Sequence, residues 1–323
     1  MYGPRIIVKV PASTANLGPG FDTLGMALSL FAWIEMAQAP ETTITLYGDQ
    51  MNGVPTDKSN LIYKVAQMVF NEAGVSVPEL SISMYSDIPL TRGLGSSASA
   101  IVGALVAANA LIGAPLSDHK LFQMATALEG HPDNVGASLF GGIVVSAWDG
   151  EQADYVRIDP HPSLQALVAV PAFQLSTEKA RHALPKEISM GDAVYNVSRS
   201  SLLVAALATG QLELISKAMK DRLHQPYRAP LIPGMETILA HASERGALGA
   251  ALSGAGPTLI SFVDAQSGRK QELEQFLVDT LADEGIEAET IWLKPFNSGP
   301  QLVQVEEGDD LPLIDRIQSE VRV

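Results

Sequence analysis

Cysteine is absent from the 323 residues, which excludes disulfides, thiolate metal centres and cysteine nucleophiles. Positive charge is scarce: 21 lysines and arginines stand against 36 aspartates and glutamates, a net charge of −15. No basic field exists to neutralise a run of phosphates, so no nucleic-acid partner is expected. A small anionic substrate has to be met locally, by a loop, a metal ion or a few arginines. The segment Met1 to Val10 (MYGPRIIVKV) is strand-like and holds Lys9. It lacks the long apolar centre and small-residue cleavage site of a signal peptide, so the cytoplasm is the expected compartment.

Long runs of large apolar side chains are missing too. Gly93 to Ser117 carries no charge over 25 residues, but fifteen of them are Gly, Ala or Ser. A membrane-spanning helix needs about 20 predominantly apolar residues. This stretch reads instead as a buried helix of small residues, and no membrane partner is expected.

What is present suits a globular protein. Hydrophobic residues make up 46% and charged residues 18%, enough for a large core, and the length predicts roughly two domains. Strands are expected at Arg5–Val10, Thr43–Tyr47, Leu80–Ser86, Gly141–Trp148, Tyr155–Ile158, Leu164–Val170, Gly249–Leu252, Thr258–Val263 and Glu289–Leu293. Helices are expected at Asn60–Ala73, Ser97–Leu111, Ser117–Leu128, Thr177–Ala183, Asp192–Ala208, Leu212–Leu223, Met235–Arg245 and Gly268–Glu284. Pro11–Leu28 begins as a loop, and Asp159–Pro162 reads as a linker. Strands and helices mix without strict alternation, which points to an α+β fold. The expected division is residues 1–160 and 161–300, with 301–323 as a tail.

Pro89 to Ser99 (PLTRGLGSSAS) is the most informative segment. Gly93 and Gly95 let the backbone bend and approach a ligand. The helix that follows offers unpaired N–H groups and a positive dipole end, so loop and helix make an anion cradle. Ser96, Ser97 and Ser99 add hydroxyls, one of which suits a magnesium ion. There is no lysine for a Walker A loop, and the glycine spacing fails the dinucleotide fingerprint. The plain alternative is a Gly/Ser turn before a buried helix.

Other candidates are weaker alone. Glu129 suits a hard cation and Asp133 a proton acceptor or a hydroxyl-binding group; both equally suit helix ends. His131 between them has no zinc-type spacing. Asn16 and Asp22 bracket a glycine-bent loop that reaches a ligand or merely turns. Leu252 to Thr258 (LSGAGPT) permits close backbone approach through Gly254, or is an ordinary β-turn. Arg181 and Arg228 suit a carboxylate or phosphate, or surface ion pairs.

Taken together and in this order, these segments resemble the GHMP kinase family (galactose, homoserine, mevalonate and phosphomevalonate kinases). Pro89–Ser99 is similar to that family's phosphate loop and Leu252–Thr258 to its third, glycine-rich motif. Pro11–Asp22 (PASTANLGPGFD), His131-x-Asp133-Asn134 and Gln225–Arg228 (QPYR) are most similar to the branch that phosphorylates homoserine. The resemblance spans about residues 5 to 260. It implies an N-terminal domain like ribosomal protein S5 domain 2 and a C-terminal ferredoxin-like domain. It implies ATP and Mg²⁺ as cofactors and L-homoserine as acceptor, in threonine biosynthesis; a homodimer is the family expectation.

Residue by residue, the resemblance implies nucleotide binding by Asn60, Pro89, Arg92, Gly93, Leu94, Gly95, Ser96, Ser97 and Ser99. Ser97 and Glu129 match its magnesium-binding pair. Asn16, Asp22, His131, Asp133, Thr177, Arg181, Arg228 and Gly254 match the acceptor side, with Ser97, Glu129 and Asp133 as the catalytic set. Two other readings remain: a sister kinase acting on mevalonate or a sugar, and a non-catalytic module that senses ATP or another ligand. The two arginines with Asn16 and Asp22 favour an α-amino acid.

Overall fold

The computed structural model describes residues 4–304 and 311–321. Strands β1 (Ile6–Ala15), β2 (Leu24–Gln38), β3 (Thr43–Tyr47), β4 (Leu80–Ser86), β5 (Ile143–Trp148) and β6 (Ala153–Ile158) form a first sheet. Strands β7 (Leu164–Pro171), β8 (Gly249–Leu252), β9 (Leu259–Asp264) and β10 (Ala288–Leu293) form a second. Strand β11 (Gln301–Val303) returns to pair antiparallel with β1.

Strand β2 is the spine of the first sheet. Its first residues pair with β5, its last with β4, and β1 lies along its length. The second sheet has the order β10-β7-β9-β8. Numbered within that unit this is fourth, first, third, second, the ferredoxin-like arrangement. Alternate residues of β7 serve different layers: Ala166 and Val168 face the main core, while Leu167 and Ala169 face the helices Met235–His241 and Lys270–Asp283. A strand covered on both faces loses its polar alternation, which is why LQALVAV is almost wholly apolar. The expected α+β fold class, with its two kinds of sheet, holds.

Helices α1 (Leu61–Glu72), α2 (Ser96–Leu111), α3 (Asp118–Glu129) and α4 (Asp133–Phe140) cover the first sheet. Helix α2 is the small-residue stretch, and it is buried nearly all round against β1, β2, α1, α3 and α4. Small side chains let those elements approach its backbone from every side. Among the described residues no helix is long and apolar enough to cross a membrane.

Four expectations are corrected. Pro11–Ala15 is strand, not loop, because Ser13 and Thr14 are fully buried and paired with β2. The long β2 was not expected, since burial on both faces erased its period. Leu212–Leu223 is not one helix: a 3₁₀ turn (Leu212–Leu214) and a short helix (Ile215–Ala218) end before a turn. There the Asp221 carboxylate accepts the N–H groups of Leu223, His224 and Gln225, which competes with helix continuation. Finally, β11 and a helix at Leu313–Val321 lie in the expected tail, with Leu313 and Ile317 packed on Ile7 and Trp33 of the first sheet.

Candidate active site

One cleft gathers most of the candidate residues, polar and charged groups converging on a concave surface, as small-molecule sites do. It is lined by the β1–β2 loop, the loop before α2, the end of α3, the start of α4, helix α5 (Thr177–His182), the short helix Gln225–Arg228 and the β8–β9 turn.

The loop before α2 is held by its own carbonyls. Ser13 N–H donates to Leu94 O (3.2 Å), Ser253 Oγ–H to Gly93 O (2.6 Å) and Thr258 N–H to Arg92 O (3.2 Å). Gly93 and Gly95 sit at φ +80° and +72°. A Cβ on Gly93 would lie 2.3 Å from Ser253 O, and one on Gly95 2.1 Å from Ser13 Oγ. The glycines therefore admit the protein's own neighbouring strands and turn as well as bending the loop. The first helical bond of α2 runs from Ser99 N–H to Gly95 O (2.8 Å). That leaves the N–H groups of Ser96, Ser97 and Ala98 without helical acceptors, at the positive end of a sixteen-residue helix.

Beside them, Ser97 Oγ–H donates to Glu129 Oε1 (2.5 Å). A hydroxyl and a carboxylate side by side are hard oxygen donors, and they fit Mg²⁺. Asp22, His131 and Asp133 form a second cluster, one ligand atom of each within 4.8 Å of the others. Its charges are already paired. Arg181 donates twice to Asp22 (2.8 and 3.0 Å), and His131 Nδ1 lies 2.7 Å from Asp133 Oδ1, which also accepts Asn134 N–H. Asp133 Oδ2 accepts no hydrogen bond from any described residue.

Burial opposes a charge on His131, but the hydrogen bond to Asp133 and the nearby Asp133, Asp22 and Glu129 carboxylates outweigh it and raise its pKa. A raised folded-state value means that the imidazolium stabilises the fold fully below its unfolded pKa of about 6.5. That stabilisation fades as pH rises through the raised value. The melting-temperature gap between the native chain and His131→Gln is thus expected to be widest near pH 5.5 and to shrink towards pH 9; a pH-independent gap would refute the pairing.

The opposite wall is cationic. Arg228 is 2% exposed. Burial and the neighbouring Arg181 lower its pKa to about 10. Nε donates to Ala180 O (3.2 Å), and Nη1 to Gly254 O (3.1 Å) and His224 Nδ1 (3.2 Å). Nη2 makes no hydrogen bond with a described residue. Phe21 lies beneath both guanidinium groups, at 5.5 Å from Arg181 and 5.3 Å from Arg228. Asn16, Leu17 and Asp22 have positive φ (71°, 47° and 53°), a strained run held by Asn16, which accepts Asp22 N–H and donates to Gly254 O.

The cleft thus unites Asn16, Asp22, Gly93, Gly95, Ser96, Ser97, Glu129, His131, Asp133, Thr177, Arg181, Arg228 and Gly254. Five candidates lie outside its lining. Asn60 is buried at the start of α1, accepting Ile62 N–H and donating to Pro55 O. Ser99 is buried and donates to Ser96 O, and Leu94 is fully buried in the core. Arg92 turns away to Ala172 O (2.6 Å). Pro89 and Arg92 line a neighbouring hollow with Gln50 and Glu289. Lys9 also stands apart, 4.4 Å above the Phe31 ring. Phe21 and Asn134 were not foreseen, although both sit inside the quoted motifs.

The chain matches the family models described as GHMP kinases N terminal domain (residues 60–142) and GHMP kinases C terminal (residues 203–278). It is 45% identical to homoserine kinase of Moorella thermoacetica over 297 residues, 92% of this chain and 99% of that one. It is 45% identical to homoserine kinase of Deinococcus radiodurans over 279 residues, 86% and 91% of the two chains. The crystal structure of homoserine kinase from Cytophaga hutchinsonii superposes with a TM-score of 0.83 at 27% identity, covering 93% of this chain and 97% of that one.

Proposed function

The chain belongs to the GHMP kinase family, in its homoserine kinase branch, and from that premise we propose that the cleft transfers the γ-phosphoryl group of ATP to the side-chain hydroxyl of L-homoserine. The product is O-phospho-L-homoserine, an intermediate of threonine biosynthesis. One observation carries the reading: a single cleft joins the free N-terminus of α2 to a wall bearing an Asp22–Arg181 pair and a buried arginine with one unoccupied nitrogen. The first end suits a polyphosphate, the second a zwitterion.

The N–H groups of Ser96, Ser97 and Ala98 receive the phosphate oxygens, aided by the α2 dipole. Ser97 and Glu129 would hold Mg²⁺, which when bound neutralises phosphate charge. This resolves the difficulty of an acidic protein with an anionic substrate: the positive field is local. Arg228 Nη2 and Arg181 take the amino-acid carboxylate, and Asp22 takes the ammonium. Asp133, oriented by His131, offers Oδ2 to the acceptor hydroxyl. No lysine lines the cleft. A loose transition state needs little prior deprotonation, so Asp133 chiefly orients the hydroxyl and takes its proton late. A pH–rate profile of Asp133→Asn checks this; an unchanged turnover number removes the proton acceptor.

ADP release is expected with L-homoserine and ATP, and not with mevalonate or a hexose. Release with mevalonate but not homoserine would assign the chain a sister substrate; nucleotide binding without any turnover would make it a sensor. Arg181→Leu is expected to raise the homoserine KM about thirtyfold, the value of one charge-assisted hydrogen bond of about 2 kcal/mol, and to leave the ATP KM unchanged.

A further inference from the structure

A fully buried imidazole, His224, lies directly behind Arg228. It belongs to no motif singled out for chemistry, although its neighbours decide its state completely. His224 Nε2 lies 2.7 Å from Gly18 O, a carbonyl that can only accept, so Nε2 carries the proton. His224 Nδ1 lies 3.2 Å from Arg228 Nη1, a nitrogen that can only donate, so Nδ1 is bare. A proton on Nδ1 would set an imidazolium against a guanidinium.

The net environment agrees with this state: burial, helped by Arg228, holds the pKa below the ordinary value against the upward pull of the Asp221 carboxylate, 3.7 Å from Nε2, of the Gly18 hydrogen bond and of Asp22. Asp221 is itself occupied by three backbone N–H groups and by Asn196. The imidazole also stacks on Phe21 (ring centroids 5.2 Å apart). Phe21 is the ring under both cleft arginines.

We infer that His224 is a positioning residue for the amino-acid end of the cleft: as the neutral Nε2–H tautomer it ties Arg228 to the Asn16–Asp22 loop, accepting from the arginine at Nδ1 and donating to Gly18 at Nε2. With Nη1 divided between His224 and Gly254 O, and Nε spent on Ala180 O, the guanidinium plane is set and Nη2 is the nitrogen left for a carboxylate. The ligand assigned to Nη2 rests on the function proposed above; the tautomer does not.

Two variants separate the two bonds. The amide nitrogen of glutamine reaches the Nε2 position, whereas the oxygen of asparagine replaces Nδ1. His224→Gln is expected to raise the homoserine KM about tenfold, the value of one hydrogen bond to a charged group, with kcat and the ATP KM within about twofold. His224→Asn is expected to keep the homoserine KM within about threefold of the native value while melting earlier, since it drops the Gly18 bond and the ring stack. In the native protein, ¹⁵N-histidine spectra are expected to show one imidazole fixed as the Nε2–H form, with no titration between pH 6 and 8, and this signal is absent from both variants.

Equal KM changes in the two variants, or none in either, would overturn the positioning role. A titrating or Nδ1–H imidazole would overturn the tautomer. Should the native protein show that fixed imidazole yet release no ADP with homoserine, the substrate assignment fails and the Arg228–His224 linkage stands.

Discussion

Glu129→Gln is expected to lower the turnover number for homoserine phosphorylation about a thousandfold, the scale of removing one pre-organised charge from a transition state. Glu129 closes α3 and meets Ser97 in the first turn of α2. Both are oxygen donors beside the N–H groups assigned to the phosphates. Glutamine keeps an oxygen for the Ser97 hydroxyl, so the fold is spared and the melting temperature stays within about 2 °C. What is lost is the charge proposed above to draw a divalent cation to this corner, so half-maximal activity should also need more Mg²⁺. A loss smaller than tenfold with an unchanged Mg²⁺ requirement would show that Glu129 is not a metal ligand.

Gly93→Ala is expected to damage both stability and activity. Its Cβ would stand 2.3 Å from Ser253 O and 3.0 Å from Gly256 N, and both are backbone atoms that cannot rotate aside. Its φ of +80° disfavours any L side chain as well. Overpacking and strain together are expected to cost about 3 kcal/mol, a fall of about 4 °C in melting temperature for a chain of this length. Activity should drop about 100-fold, because misplacing the loop by an ångström misplaces the phosphates. Gly74→Ala is the control. It has a similar φ of +68° but open space around the missing Cβ, so only the conformational strain of about 1 kcal/mol applies. Equal losses in the two variants would mean that strain, not the clasp between loop and turn, explains Gly93.

Local patterns revealed the parts of the fold that are locally determined. Ser117 and Gly130 bound α3, and the alternation of LSISMYS marks β4 with its alternately buried residues. Where burial covers every face the pattern vanishes, as in β2, and the expectation failed there. Leu212–Leu223 failed for another reason: the Asp221 carboxylate captures three N–H groups, a side-chain event invisible to apolar spacing. The site was legible as motifs, since the chemistry of glycines, hydroxyls and carboxylates leaves dense local signals. Asn60 and Leu94 carry no such local signal: their hydrogen bonds and packing are internal to the protein, and only the family resemblance points to them. Ser99, read among the loop hydroxyls, likewise donates internally, to Ser96 O. His224 shows the converse. Its partners Gly18 and Arg228 lie on segments 206 residues apart or four residues on, and no spacing rule joins such a set.

The Asp22–Arg181 bridge has a consequence for what the enzyme refuses. The two side chains satisfy each other, so in the roles proposed above an incoming alcohol would have to part them. A ligand bearing both signs relieves each partner at once. A hydroxy acid without an amine strands the aspartate, and an amino alcohol without an acid strands the arginine, each at the expense of a lost ionic contact. Rejection of half-matching metabolites would then need no bulky gatekeeper, because the Asp22–Arg181 pair is itself the competitor they must beat.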